Sequence, residues 1–211
     1  MVTRKPSRTN DPEGVRRNIL EVATAEFARR GYSGARVDAI AAMTRTSKRM
    51  IYYYFGSKER LYVAVLEQAY RSIRSVETGL DLAHLPPEAA LRRLVELTFD
   101  YQNAHPEFIR LVMIENIHLA RHMKRSRTIQ KLNSTAIDEL SRLYARGRAA
   151  RLFRPGLDPV DLHMTISALC FFNVANRATF STIFKRDMAS PQALVKRRAE
   201  VVETVLRYVL I

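Results

Sequence analysis

Residues 36–61, RVDAIAAMTRTSKRMIYYYFGSKERL, narrow what this 211-residue chain can fold into more than any other stretch. They read as two short helices, 36–43 and 47–55, joined by a tight turn at Thr44, Arg45 and Thr46. Val37, Ile40 and Ala41 turn inward on the first helix. Ile51 and Phe55, four residues apart, share one face of the second. Ser47 is a ready N-cap, Gly56 a stop, and Ser57 the cap of a following helix. The second helix carries Lys48 and Arg49 near its start and Tyr52, Tyr53 and Tyr54 further on. Donors at the start of a short helix, with aromatic hydroxyls along it, suit a DNA major groove. There an Arg or Lys meets guanine O6 and N7, worth roughly 1–3 kcal/mol of discrimination.

The rest of the chain repeats the helical period. Val15, Ile19, Ala23 and Phe27 recur every four residues until Gly31 interrupts. Leu61, Val65, Ala69 and Ile73 mark a helix over 58–77. Further helices are predicted over 88–104, from Pro106 to about 123, over 128–148, over 161–183 and over 192–211. No strand pattern or internal repeat is visible. The prediction is an all-α chain of about nine helices. Residues 1–14, basic and aperiodic, read as a disordered arm, 15–60 as a DNA-binding domain, and 61–211 as a larger helical domain.

Charge sharpens the division. The formal charge is +14, from 35 basic and 21 acidic residues, and half of it falls on residues 1–60. Such an excess favours an anionic partner, nucleic acid or an acidic membrane surface. Cys170 is the one cysteine, so no intrachain disulfide forms, which fits a reducing compartment. Its apolar neighbours imply a buried inert thiol; a redox sensor is the alternative. The first residues lack the apolar run of a secretory signal. The most apolar stretch, 164–175, contains Thr165, Ser167 and Asn173 and is too short to span a bilayer. A cytoplasmic protein without membrane association is expected.

The order FARRGY, VDAIA and SKRMIYYYFGSKERLY resembles the TetR family of bacterial transcriptional repressors, over residues 15 to about 66. The tyrosine-rich second helix running into YF-x-SKE-x-LY is the specific part. The resemblance implies a three-helix helix-turn-helix domain followed by an effector-binding and dimerisation domain. It places Tyr52 and Tyr53 against DNA beside Ser47, Lys48 and Arg49. Lys58 at the next helix start, with Arg36 and Arg45 flanking the first short helix, suits phosphates. Tyr54 is expected to pack inward. Two departures stand out. The turn lacks the family's usual glycine, which puts a left-handed backbone on Arg45 or alters the turn. Arg36 stands where a Ser or Thr commonly caps.

Beyond residue 61 the resemblance is architectural, and it implies a dimer of the last two helices. The run 168–175 is apolar on nearly every side, and a second copy packed across a two-fold axis would cover it. Leu169, Phe171, Val174, Val202, Leu206 and Val209 are the candidate dimer residues. A pocket for a small-molecule effector is expected among helices five to eight, lined by Tyr101, Phe108, Met113, Ile117, Phe172, Asn173 and Asn176. Asn173 and Asn176 need polar partners. Arg121, Lys124, Arg125, Arg127 and Lys131 read as a solvated basic loop, or as an auxiliary contact to DNA or to an acidic effector.

Glu115, His118 and His122, at i, i+3 and i+7, resemble half of a di-iron bundle site. Such a site needs a second copy and further carboxylates, which the sequence lacks. No metal, cofactor or catalytic residue is therefore expected. The expected function is a sequence-specific regulator, a ligand-responsive repressor that binds a palindromic operator as a dimer. The alternatives are a non-specific architectural DNA-binding protein and a metal-dependent helical-bundle oxidase.

Overall fold

The computed structural model describes residues 11–211, so residues 1–10 of the expected arm lie outside it. The described residues are all-α apart from a single β-bridge between Phe153 and Leu210. They fall into two compact units, one ending at Val65 and the other running from Leu66 to Ile211.

The first unit contains α1 (Pro12–Gly34), α2 (Val37–Thr44), α3 (Lys48–Phe55) and the start of α4 (Lys58–Thr78). Asp11 caps α1, its carboxylate accepting from the Gly14 N–H at 2.8 Å, so the helix begins three residues before Val15. Pro12 suits this first turn, where its missing N–H is no loss. Gly31 (φ 68°, ψ 173°) breaks the helical geometry as expected, and a last short turn follows it. Ile19, Ala23, Phe27, Val37, Ile40, Ile51 and Phe55 form the core. Leu61, Tyr62 and Val65 on α4 are also fully buried. The Tyr62 ring lies edge-on to Phe27 at 4.9 Å and 5.2 Å from Tyr32. The opening turns of α4 thus complete the first unit, whose boundary falls after residue 60.

The second unit contains the rest of α4, α5 (Pro87–Ala104), α6 (Pro106–Ile117), a 3₁₀ turn (Met123–Arg125) and α7 (Arg127–Ala149). It continues with α8 (Pro159–Ala175), α9 (Arg177–Ile183) and α10 (Pro191–Val209). Helix α5 packs against α7, α8 and α10. Leu91, Val95 and Phe99 from α5 meet Leu140 and Leu143, Ile166 and Cys170, and Val202, Val205 and Val209 in one core. Cys170 is fully buried, and that burial pushes its thiol up to about 12, so it is an inert core group. The loop between α7 and α8 is tied to the chain end. Arg154 N–H donates to Val209 O at 2.9 Å and Ile211 N–H to Leu152 O at 3.1 Å.

Two predicted helices end early. Helix α6 stops at Ile117, because Leu119 and Ala120 adopt left-handed φ of 54° and 56°. Buried Glu115 fixes that exit, accepting from the backbone N–H groups of His122 and Met123 at 3.1 Å each. The helix predicted over 161–183 divides at Asn176 into α8 and α9. No described helix is long and apolar enough to cross a membrane.

Candidate nucleic-acid interface

Helix α3 owes its position to both ends and one face. Ser47 Oγ accepts from the Met50 N–H at 3.2 Å, and Gly56 (φ 74°) ends the helix. Ile51 (1% exposed) and Phe55 (7%) are sunk into the unit, so the opposite face must meet solvent. That face presents exposed Lys48, Arg49 and Met50, with Tyr52 and Tyr53 beyond them. Tyr53 is 78% exposed, and its ring lies edge-on to half-buried Tyr54 at 5.5 Å. Met43 on α2 and Met50 on α3 are exposed as well. The sequence reading passed over both methionines, although each sits off its helix's buried stripe.

The turn between α2 and α3 takes the first of the two predicted forms. Arg45 adopts φ 53° and ψ 29°, the left-handed conformation that a glycine would hold without strain. Its N–H closes on Ala41 O, and its side chain is exposed. Arg36 precedes α2 without any side-chain cap of its own. Buried Glu26 on α1 supplies a partial substitute, its carboxylate accepting the Arg36 N–H at 3.4 Å. Burial alone would raise the Glu26 carboxyl. Hydrogen bonds from Arg29 and the Arg36 N–H, with the charges of Arg30 and Arg29, outweigh it and hold the group below its ordinary value.

The cations differ in how committed they are. Lys48 Nζ lies 2.9 Å and 3.0 Å from the two carboxylate oxygens of Asp38 on α2. That hydrogen bond and charge raise the lysine above its ordinary value. Arg49 has no ion pair among the described residues and is exposed. Lys58, half-buried at the start of α4, donates to Ser33 O at 3.4 Å and sits 4.9 Å over the Tyr32 ring. Burial lowers its pKa. Ser57 Oγ caps α4 through the Arg60 N–H at 3.1 Å. Of the eight candidate DNA-contacting residues, Arg36 immediately precedes α2, Arg45 and Ser47 lie in the turn between α2 and α3, Lys48, Arg49, Tyr52 and Tyr53 lie on α3, and Lys58 opens α4.

The other candidate sets are divided by the structure. Val202, Leu206 and Val209 are at most 2% exposed and lie inside this chain's own core, so they do not form an outward face. Leu169, Phe171 and Val174 are half-buried. The outward stripe of α8 is Val160, Met164, Ala168 and Phe172, exposed at every fourth residue. Of the pocket candidates, Tyr101 and Phe108 fill a packed cluster with Ile73 and Ile109, and Met113 lies against it. Ile117 is 74% exposed at the end of α6. Phe172, Asn173 and Asn176 border a separate cavity of about 280 Å³ with α9 and α10. A groove of about 720 Å³ lies between the later turns of α4 and α7.

Glu115, His118 and His122 do not share a helical face, since α6 ends before His118. Glu115 and His122 are buried and bonded to each other at 2.8 Å, while His118 is exposed. The described residues contain no group of three side chains placed to hold a metal ion. The basic residues Arg121, Lys124, Arg125, Arg127 and Lys131 are exposed.

Comparison with known proteins agrees with this arrangement of a small helix-turn-helix unit and a larger helical unit. Residues 19–65 match the family of bacterial regulatory proteins called tetR. Residues 87–205 match the tetracyclin repressor-like C-terminal domain. The HTH-type transcriptional repressor NicS of Pseudomonas putida is 38% identical over 194 residues, 92% of each chain. The crystal structure of the Streptomyces coelicolor transcriptional regulator SCO4942 superposes with a TM-score of 0.71 at 30% identity. That match covers 92% of this chain and 98% of the other. Bacillus subtilis FadR, solved with stearoyl-CoA, shares the fold at 17% identity and a TM-score of 0.68, covering 90% and 97% of the two chains. Two units matched in order, with a relative alike over nearly the full length, make the chain a transcriptional regulator, not an enzyme, and a member of the TetR family.

Proposed function

We propose that this regulator is a ligand-responsive repressor that binds a palindromic operator as a homodimer and is released by a small-molecule effector. The exposed face of α3 carries the reading. Arg49 is the uncommitted guanidinium there and the best candidate to read a guanine edge, since Lys48 is held by Asp38. Tyr52 and Tyr53 stand beside it with hydroxyls for phosphate and rings for thymine methyls. Arg36, Arg45, Ser47 and Lys58 would fix the register through the backbone. Repression is favoured by the likeness to NicS, which is named a repressor. The cytoplasm, where the chromosome lies, is the compartment this function requires.

Dimerisation is supported by α8. Val160, Met164 and Phe172 are 56%, 63% and 43% exposed on one stripe, and Val195 at the start of α10 is 70% exposed. Apolar surface at regular helical spacing is what a second copy would bury. An effector is supported by the cavities in the second unit. It would release the operator by binding the DNA-incompetent state more tightly.

Selection of bound sequences from a random DNA pool at physiological salt tests the reading. An inverted repeat is expected. Arg49→Ala should relax base preference at one operator position by roughly 1–3 kcal/mol. Recovery of no preferred sequence, with binding that vanishes as salt rises, would instead identify an architectural DNA-binding protein.

A further inference from the structure

We infer that Asp38 reads a base. Paired with Lys48, it recognises one C·G base pair of the operator, its carboxylate accepting from the cytosine amino group while the ammonium donates to the paired guanine. This role rests on the operator-binding function proposed above and adds a specificity-determining residue to it. Asp38 is the one acidic residue between positions 36 and 58. It stands exposed in the first turn of α2, off the buried stripe of Val37, Ile40 and Ala41. A carboxylate weakens the attraction of such a face for phosphates, whatever the DNA sequence. It does fit the one pyrimidine that offers a donor in the major groove, cytosine through N4. Adenine also offers an amino group, but an A·T pair sets its two acceptors on either side of that group. Guanine presents the ammonium with two adjacent acceptors, N7 and O6.

The pair has the geometry for both roles. Lys48 Nζ lies 2.9 Å from Asp38 Oδ1 and 3.0 Å from Oδ2, seated in the carboxylate fork. The fork uses at most two of the ammonium's N–H donors, and each carboxylate oxygen keeps a lone pair. Both partners reach solvent, the Lys48 side chain 49% exposed and that of Asp38 71%. Lys48 shares its side of α3 with Tyr52, one turn on, so the pair stands on the exposed face that carries the operator function. A free lysine is a mobile point charge that takes any phosphate. Seated in the fork, it is held beside an acceptor, and donor and acceptor together match the edges of guanine and cytosine. An exposed ion pair adds little stability by itself. A first-turn acid also suits the helix dipole, but that role leaves base preference untouched.

Selection of bound sequences from a random DNA pool tests the role, with the full-length protein and its Asp38→Ala and Asp38→Asn variants. Titration of the recovered operator and its single-pair variants follows. The wild-type protein should recover an inverted repeat. Asp38→Ala should lower the preference for a C·G pair about tenfold at one position of each half-site and leave the other positions unchanged. It should also bind random duplex more tightly, with a salt slope steeper by about 0.9, because the freed Lys48 takes a phosphate. Asp38→Asn should turn the same position towards adenine, since an amide pairs with adenine N6 and N7. Neither substitution removes core packing, and thermal unfolding checks that both variants are folded. Equal weakening of all sequences by Asp38→Ala would overturn the inference in favour of a mere tether between α2 and α3. A change at a position that is not a C·G pair, or an unchanged profile in both variants, would overturn it as well. A wild-type protein that recovers no repeat would instead refute the operator function itself.

Discussion

Substitution of Arg45 separates two effects that the turn between α2 and α3 combines. Arg45 holds φ 53° and ψ 29° as a residue with a β-carbon. That conformation costs an L-residue roughly 1–2 kcal/mol, whereas glycine adopts it freely. Arg45→Ala keeps the strain and removes the charge; Arg45→Gly removes both. Glycine also makes the unfolded chain more flexible, which offsets about 0.4–1 kcal/mol of the relief. The glycine variant should therefore be the more stable of the two by about 0.5–1 kcal/mol. Both should lose operator affinity alike, with the slope of log affinity against log salt shallower by about 0.9, one phosphate contact. Thermal unfolding at fixed protein concentration and operator titration across a salt series give the two readouts. Equal stability of the two variants would refute the imposed left-handed turn. An unchanged salt slope in both would refute the phosphate contact.

Three further outcomes follow from buried groups. A β-carbon on Gly147 would lie 2.0 Å from Phe153 Cδ2, so Gly147→Ala should destabilise the second unit by about 1–3 kcal/mol despite better helix propensity. Phe153→Leu in that background should recover part of the loss in thermal unfolding. Burial, with the charge of Arg74, lowers His163 to about 4. Above pH ~6.5 both states hold it neutral; as pH falls towards 4 the unfolded chain takes the proton first. Stability is therefore lost over that window, and between pH 7 and 5 the native chain should lose about 2 kcal/mol more than His163→Leu. Equal losses in a denaturant series at the two pH values would refute this. Glu26→Ala should cost about 1–2 kcal/mol, discounted for the exposure of Arg29 and Arg30, by removing the acceptor for the Arg36 N–H. Because the Glu26 carboxyl is held low, its contribution is present above the ordinary carboxylate range and fades as pH falls through the lowered value. Hydrogen exchange at the start of α2 would detect the loss.

The parts legible in the sequence were those governed by neighbours along the chain. The Ser47 cap, the Gly56 stop and the buried pair Ile51 and Phe55 depend on residues within one or two turns, and the structure has all of them. The left-handed Arg45 is one of the two forms that the missing glycine left open, and the structure adopts it. Glu26 reaching the Arg36 N–H and Asp38 engaging Lys48 each join residues ten positions apart. Neither pairing exists until α1, α2 and α3 have packed, and no periodicity announces it. The premature end of α6 has the same origin, since Glu115 caps a loop seven and eight residues ahead.

The larger helical unit shows where pattern stops informing. Period determined that α8 carries apolar residues in excess of one ordinary stripe and that α10 carries one stripe. It could not say which body covers them. Val202, Leu206 and Val209 are apolar at the right spacing for a dimer seam, but the chain's own α5 and α8 bury them. The free stripe instead falls on Val160, Met164, Ala168 and Phe172. In the same way Tyr101 and Phe108 are buried in a cluster with Ile73 and Ile109. The sequence by itself determined an all-α fold, a helix-turn-helix unit and which face of α3 turns outward, because helix period, caps and turn residues are local. Only the tertiary structure decided which apolar faces were consumed internally and which cations were left without partners, because burial and pairing depend on which helices meet.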